Sequence, residues 1–146
     1  MKVEFHSGVI DKLGSACRFL RQAHQAGAGV TVCADAPTLE RLDLALWSAE
    51  PLSFVPHVRQ YPGREPATGV LERTSIRLVE RIEAAAAGSV LLNLGPELVE
   101  HWDHYERVVE IVSNEAVDAA AGRRRWRHYV ECTGIELVHK SRQTAQ

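Results

Sequence analysis

The stretch Val30-Thr31-Val32-Cys33-Ala34-Asp35-Ala36-Pro37 decides the fold. Its first five residues are short, β-branched and almost wholly apolar, which predicts a strand buried on both faces. Asp35-Ala36-Pro37 then turns the chain into a helix over about 38–49, with Leu39, Leu42, Leu46 and Ala49 on its buried face. The same alternation extends in both directions. Towards the N-terminus, a strand at Val3–His6 ends in a Ser7-Gly8 turn. A helix over 11–26 follows, striped by Leu13, Ala16, Cys17, Leu20, Ala23 and His24 and ended by Gly27 and Gly29. Towards the C-terminus, Val90-Leu91-Leu92-Asn93-Leu94 and Arg107–Val112 are buried strands. Gly95-Pro96 opens a short helix running to about 105. Asn114 is a good N-cap for a final helix over 115–132. Gly134 ends that helix, and Ile135–Val138 forms a last edge strand.

The middle of the chain is less regular. Pro51 breaks the second helix, and Ser53-Phe54-Val55 is a short extended piece. Residues 59–69, with Pro62, Gly63, Pro66 and Gly69, form a loop. Thr74–Val79 alternates like a strand, and residues 80–88, which include four alanines, are either helical or a tight connection. Strands alternating with helices imply an α/β fold with a mostly parallel sheet and helices on both faces. Such sheets bind ligands beyond the carboxyl ends of their strands. The length of 146 residues predicts one domain over 1–139, followed by a polar, frayed tail over 140–146.

Composition excludes several classes of function. The chain is 45% hydrophobic and 25% charged with a formal net charge of −2, which suits a globular protein and disfavours one that coats duplex DNA through general electrostatics. Cys17, Cys33 and Cys132 are odd in number and far apart. Cys17 and Cys33 fall at apolar positions and read as small core residues, a pattern that fits a reducing cytosol. Met1–His6 contains an acid and no long apolar core, so no signal peptide is expected. No apolar run approaches the length of a membrane span. The expected location is cytoplasmic, without a membrane.

Catalytic equipment is sparse. His6-Ser7-Gly8 follows the first strand without a GxGxxG or Walker pattern, and Ser7 lacks a GxSxG context. An α/β small-ligand or hydrolytic enzyme using that edge is the alternative reading. His101 and His104 stand at i, i+3, but a third ligand is not evident, so no metal and no cofactor are expected. His6, His24, His128 and His139 form no constellation, and Asp43 and Glu50 are isolated acids on a helix surface.

Recognition remains, and two segments carry it. Arg123-Arg124-Arg125-Trp126-Arg127-His128-Tyr129 packs four arginines and two aromatics into seven residues. On a helix, Arg123, Trp126, Arg127 and Val130 share one face. Arg124 and Arg125 point away and are expected to be solvated charge. The other segment combines Leu42-Asp43-Leu44-Ala45-Leu46-Trp47 with Ser53-Phe54-Val55-Pro56-His57. There Leu44 and Trp47 lie off the buried stripe, beside prolines and Phe54. That arrangement suits either a protein interface or packing on a neighbouring helix.

These two segments resemble the chi subunit of bacterial DNA polymerase III holoenzyme. Arg41-Leu42-Asp43-Leu44-Ala45-Leu46-Trp47 is similar to the family's Leu-Asp-x-x-Leu-Trp helix, and Ser53-Phe54-Val55-Pro56-His57 to its Ser-Phe-x-Pro-His segment. The basic and aromatic stretch at 123–129 resembles its last helix. The likeness spans nearly the whole chain and is strongest over 39–57 and 107–130; residues 59–89 match poorly. It implies a single-domain Rossmann-like three-layer sandwich that binds no nucleotide and acts as a non-enzymatic adaptor of the clamp-loader complex. The implied partners are the psi subunit, the acidic C-terminal tail of single-stranded-DNA-binding protein, which ends in a phenylalanine carboxylate, and a helicase. Direct sequence-specific binding of nucleic acid is not implied. Trp47, Phe54, Pro56 and His57 match the psi-facing surface. Arg123, Trp126 and Arg127 match the tail-binding pocket, with Val130 as an apolar wall. Where the family often has Tyr and Lys, this chain has Trp126 and Arg127.

Overall fold

A computed structural model of the chain describes residues 1–48, 55–63, 74–83 and 88–141. Its strands are β1 (Lys2–Val9), β2 (Val30–Cys33), β3 (Val58–Arg59), β4 (Ile76–Val79), β5 (Gly88–Asn93), β6 (Tyr105–Ser113) and β7 (Glu136–Ser141). Its helices are α1 (Lys12–Gln25), α2 (Ala36–Trp47) and α3 (Ala116–Val130), with one 3-10 turn at Trp102–His104. The strands form one sheet in the order β3-β4-β2-β5-β6-β1-β7, and every neighbouring pair is parallel.

Side-chain alternation divides the interior into two layers. Along β6, Val109 and Ile111 face α1 and α2, whereas Val108 and Val112 face α3. The first layer packs Leu20, Leu39, Leu42 and Leu46 on Val32, Leu78 and Leu92. The second packs Tyr129 over Phe5, Leu91 and Val108. Residues this fully buried contribute roughly 1.5–3 kcal/mol each, which is why parallel strands read as nearly continuous apolar runs. The result is the expected three-layer α/β sandwich.

Helix starts are set by side chains. The Asp11 carboxylate accepts from the Gly14 amide at 3.0 Å. Asp35 accepts from the Thr38 hydroxyl at 2.8 Å and from its amide at 3.4 Å. Each such cap contributes about 1 kcal/mol. Because Asp35 is the cap, α2 begins at Ala36, two residues earlier than the sequence suggested, with Pro37 in its first turn.

Other boundaries also differ. Ser7-Gly8 is not a turn: β1 runs on to Val9 because β6 and β7 flank it on both sides, with Ser7 opposite Ser141 and Val9 opposite Ser113. Of the expected Ser53–Val55 piece only Val55 lies within the described residues. A strand falls at Val58–Arg59, so the expected 59–69 loop starts later than Arg59; Val58 and Arg59 pair with Arg77 and Leu78. Residues 80–83 are not helical, and the alanines at 84–87 lie outside the described residues. No helix follows Gly95-Pro96; residues 94–101 are irregular, and His101 sits at φ 62° before the 3-10 turn. Glu115, not Asn114, is the N-cap of α3, and the Asn114 amide donates to the Val9 carbonyl at 3.0 Å, which ties the start of α3 to the end of β1. Strand β7 extends through Lys140 and Ser141, the first two residues of the expected tail; residues 142–146 lie outside the described ones.

Candidate functional site

Topology singles out the carboxyl ends of β1 and β6. These strands are neighbours, yet β1 leads into α1 on one face and β6 into α3 on the other. A crevice opens where connections diverge in this way. A local irregularity widens it. Phe5 faces α3, so strict alternation would aim Val9 the same way, but Val9 packs in the α1 layer. The register shift between His6 and Val9 makes the switch, and Gly8 at φ 68° takes the conformation that a side chain would resist. The bulge leaves Ser7 and Gly8 at the wall of a cleft of about 740 Å³.

The other walls come from β6, α3 and β7. Gly122 lets α3 lie close to β6: a Cβ there would meet both Val112 methyls at 2.8 Å. One turn further along, Trp126 leans against Phe5, with centroids 5.2 Å apart at 83°, and against His139 at 5.8 Å. Arg123 lines the cleft beside Trp126. The Ser7 hydroxyl and His139 Nε2 lie 2.5 Å apart in the same wall. Among the described residues no carboxylate lines this space, and Arg123 brings a guanidinium to it. Such a cavity suits an anion joined to an aromatic or aliphatic group. Of the four residues expected to form a pocket, Arg123 and Trp126 meet here. Arg127 and Val130 are exposed on α3 outside this lining.

Arg125 overturns its expectation as solvated charge. It is 3% exposed, beneath α3 rather than on it. Its Nε donates to Glu110 at 2.9 Å and its Nη1 to the Pro96 carbonyl at 2.7 Å. Glu110 also accepts from Asn93 at 3.0 Å and from the Tyr129 hydroxyl at 2.9 Å. Burial pushes the Glu110 carboxyl above its ordinary range, against the pull of Arg125, Asn93 and Tyr129, all of which favour the anion. The network fixes the rotation of α3. Arg124, by contrast, is exposed as expected.

The second surface lies near the other edge of the sheet. Leu44 and Trp47 are 67% and 62% exposed on α2, and Pro56 is exposed nearby. Phe54 lies outside the described residues. Asp43 is not an isolated acid: its Oδ1 is 2.6 Å from His57 Nε2, while His57 Nδ1 is 2.7 Å from the Val55 carbonyl. The His57 side chain is nearly fully buried, and its ring supports Trp47 at 5.6 Å. His57 therefore braces the surface from below. Glu50 lies outside the described residues.

Among the described residues no group of three His, Cys, Asp or Glu side chains converges. The His101 and His104 rings lie 5.3 Å apart, and His104 Nε2 is 4.0 Å from Asp103. Cys17 and Cys33 are buried, as expected. Burial and the nearby Glu110 push the Cys33 thiol up to about 11. No helix among the described residues is long and apolar enough to cross a membrane.

Sequence spacing missed Ser7, His139, Glu110 and the Asp43–His57 pair as partners, because each contact joins residues from separate elements. Only the parity break at Ser7-Gly8, where an apolar strand meets a flexible glycine, offered a local signal.

No curated protein matches the chain. The family model described as DNA polymerase III chi subunit, HolC, matches residues 1–137. That match covers the Trp47 surface, the cleft residues other than His139 and the first two residues of β7, and the chain belongs to the DNA polymerase III chi subunit family.

Proposed function

We propose that this replication accessory subunit is an adaptor that joins the psi subunit, and through it the clamp loader, to the acidic C-terminal tail of single-stranded-DNA-binding protein. The observation that carries the reading is the separation of two unlike surfaces. The cleft under Arg123 and Trp126 lies over β1 and β6, whereas Leu44 and Trp47 lie on α2, which packs on the opposite face towards β4. Two partners can then be held at once. The cleft suits the tail, because guanidinium forks take carboxylates and the Trp126 ring offers an apolar wall to a terminal phenylalanine. Exposed Arg127 and Val130 extend the same helix face, where the acidic residues preceding the phenylalanine would run. The α2 surface, with Trp47 and Pro56 exposed and His57 bracing them, suits psi, and Phe54 is assigned to the same contact.

The test is titration of an acidic peptide ending in phenylalanine. We expect binding of about micromolar order, weakened by salt and by Arg123→Ala or Arg127→Ala. Equal affinity for wild type and both variants would remove the pocket assignment. The hydrolytic alternative has one observation in its favour, the Ser7–His139 contact. However, no carboxylate orients His139 among the described residues, as a serine nucleophile's base requires. Hydrolytic turnover that disappears in Ser7→Ala would revive it.

A further inference from the structure

We propose that Ser7 and His139 are specificity-determining residues of the α3 cleft, reading the terminal carboxylate of its peptide opposite Arg123. This rests on the reading of the cleft as an acidic-tail site. A carboxylate has about four lone-pair positions, and one guanidinium fork satisfies at most two of them well. The rest need donors from another wall. Val112 and Ala119 offer no polar group, and Ser113 and Asn114 supply theirs from the end of β6, whereas Ser7 on β1 and His139 on β7 supply polar atoms from the side of the cavity that Trp126 closes.

Their geometry makes them a donor unit. With its proton on Nε2, His139 donates to Ser7 Oγ across 2.5 Å, which leaves the serine hydroxyl proton for a ligand. Hydrogen bonds arranged in series polarise one another, so the hydroxyl becomes a better donor to an anion than a lone serine. Trp126 packs against the His139 ring at 5.8 Å and 65°, so the side chain that would receive the peptide's apolar group also steadies the imidazole. The bulge at Gly8 supplies the placement: Ser7 stays on the α3 face while Val9 turns to the other layer. Because no carboxylate among the described residues lines the cavity, a peptide carboxylate meets no repulsion from them there. An uncharged chain end would lose the anion's hydrogen bonds and gain nothing in return.

The experiment compares one acidic peptide ending in phenylalanine as the free acid and as the C-terminal amide, by calorimetric titration of the full chain. For wild type, amidation is expected to weaken binding about tenfold or more, as for hydrogen bonds made to a charged group. In Ser7→Ala and His139→Phe the gap between free acid and amide should narrow severalfold, with Arg123 keeping the remainder, while amide affinity stays within about twofold of wild type. Ser7→Thr, which keeps the hydroxyl, should retain the discrimination. A change in structure alone would weaken both peptides together. If Ser7→Ala and His139→Phe still separate acid from amide as wild type does, the pair does not read the carboxylate, although the cleft remains the tail site. If wild type binds neither peptide, the tail-site reading falls and the inference falls with it.

Discussion

Arg125 and Glu110 form an ion pair sealed between α3 and β6, at 2.9 Å, with the two residues 3% and 0% exposed. One of the four arginines between residues 123 and 127 is here a structural fastener, while the other three are exposed. Removing one partner strands the other charge in a buried site. Arg125→Ala should therefore destabilise the chain by roughly 3–5 kcal/mol, whereas Arg124→Ala should change stability by no more than about 0.5 kcal/mol. Urea denaturation of the two variants measures the contrast. Similar midpoints for both would mean that the buried pair does not hold the helix.

The Gly122 contact makes a second expectation. Its missing side chain lets α3 settle on Val112, and the cleft depends on that distance. In Gly122→Ala the new methyl must displace the valine or lift the helix, at a cost of about 1–3 kcal/mol. Peptide affinity should fall as well, because Arg123 and Trp126 move with the helix. The double variant Gly122→Ala/Val112→Ala should recover part of both losses. A double variant no better than the sum of the single changes would show that the clash is not what sets the cleft.

Acid should weaken the opposite face of the sheet through Glu4. This carboxylate is buried on β1 between Arg107 of β6 and Lys140 of β7. Burial alone would raise its pKa, but Arg107 and Lys140 outweigh burial and hold it below its usual 4.5. A lowered folded value means that the stabilisation is fully present above the unfolded value. It is lost as pH falls through the folded one. Thermal melts of wild type and Glu4→Gln should thus differ most near neutrality, and the gap should close as pH drops below 4.5. A gap that is constant down to pH ~2 would exclude this linkage.

The sheet was legible because parallel strands buried on both faces must be apolar throughout, so Val30–Ala34, Val90–Leu94 and Arg107–Val112 announce themselves without knowledge of their neighbours. The cores of α1 and α2 were legible for a similar reason, the spacing of Leu20, Leu39, Leu42 and Leu46. The cleft was only half legible. Arg123 and Trp126 lie on one helix and can be grouped by angle, but His139 reaches Ser7 across 132 residues of sequence. Arg125 was misread because helical angle says which residues share a face, not which face the sheet covers. That choice was made by Glu110, a single acid inside a buried strand, and such an acid signals a buried cation only after the helix above it is known. The Ser7-Gly8 error has the same origin: glycine permits a turn or a bulge, and strands arriving from residues 105–113 and 136–141 chose the bulge.

The Trp47 surface allows stability and binding to be separated. Trp47 is 62% exposed, so truncating it removes little buried area. Trp47→Ala and Leu44→Ala should each shift stability by less than about 1 kcal/mol. Both should nevertheless reduce copurification with a co-expressed psi subunit, because large aromatic and aliphatic side chains at a contact carry a disproportionate share of its energy. Asp43→Ala provides the control for support from below. It leaves the exposed side chains in place but frees the His57 ring from its 2.6 Å partner, so Trp47 loses the ring that braces it. That variant should weaken psi binding less than Trp47→Ala and lower stability more. Undiminished copurification with Trp47→Ala, alongside a large loss of stability, would identify the tryptophan as a packing residue and assign psi to another face.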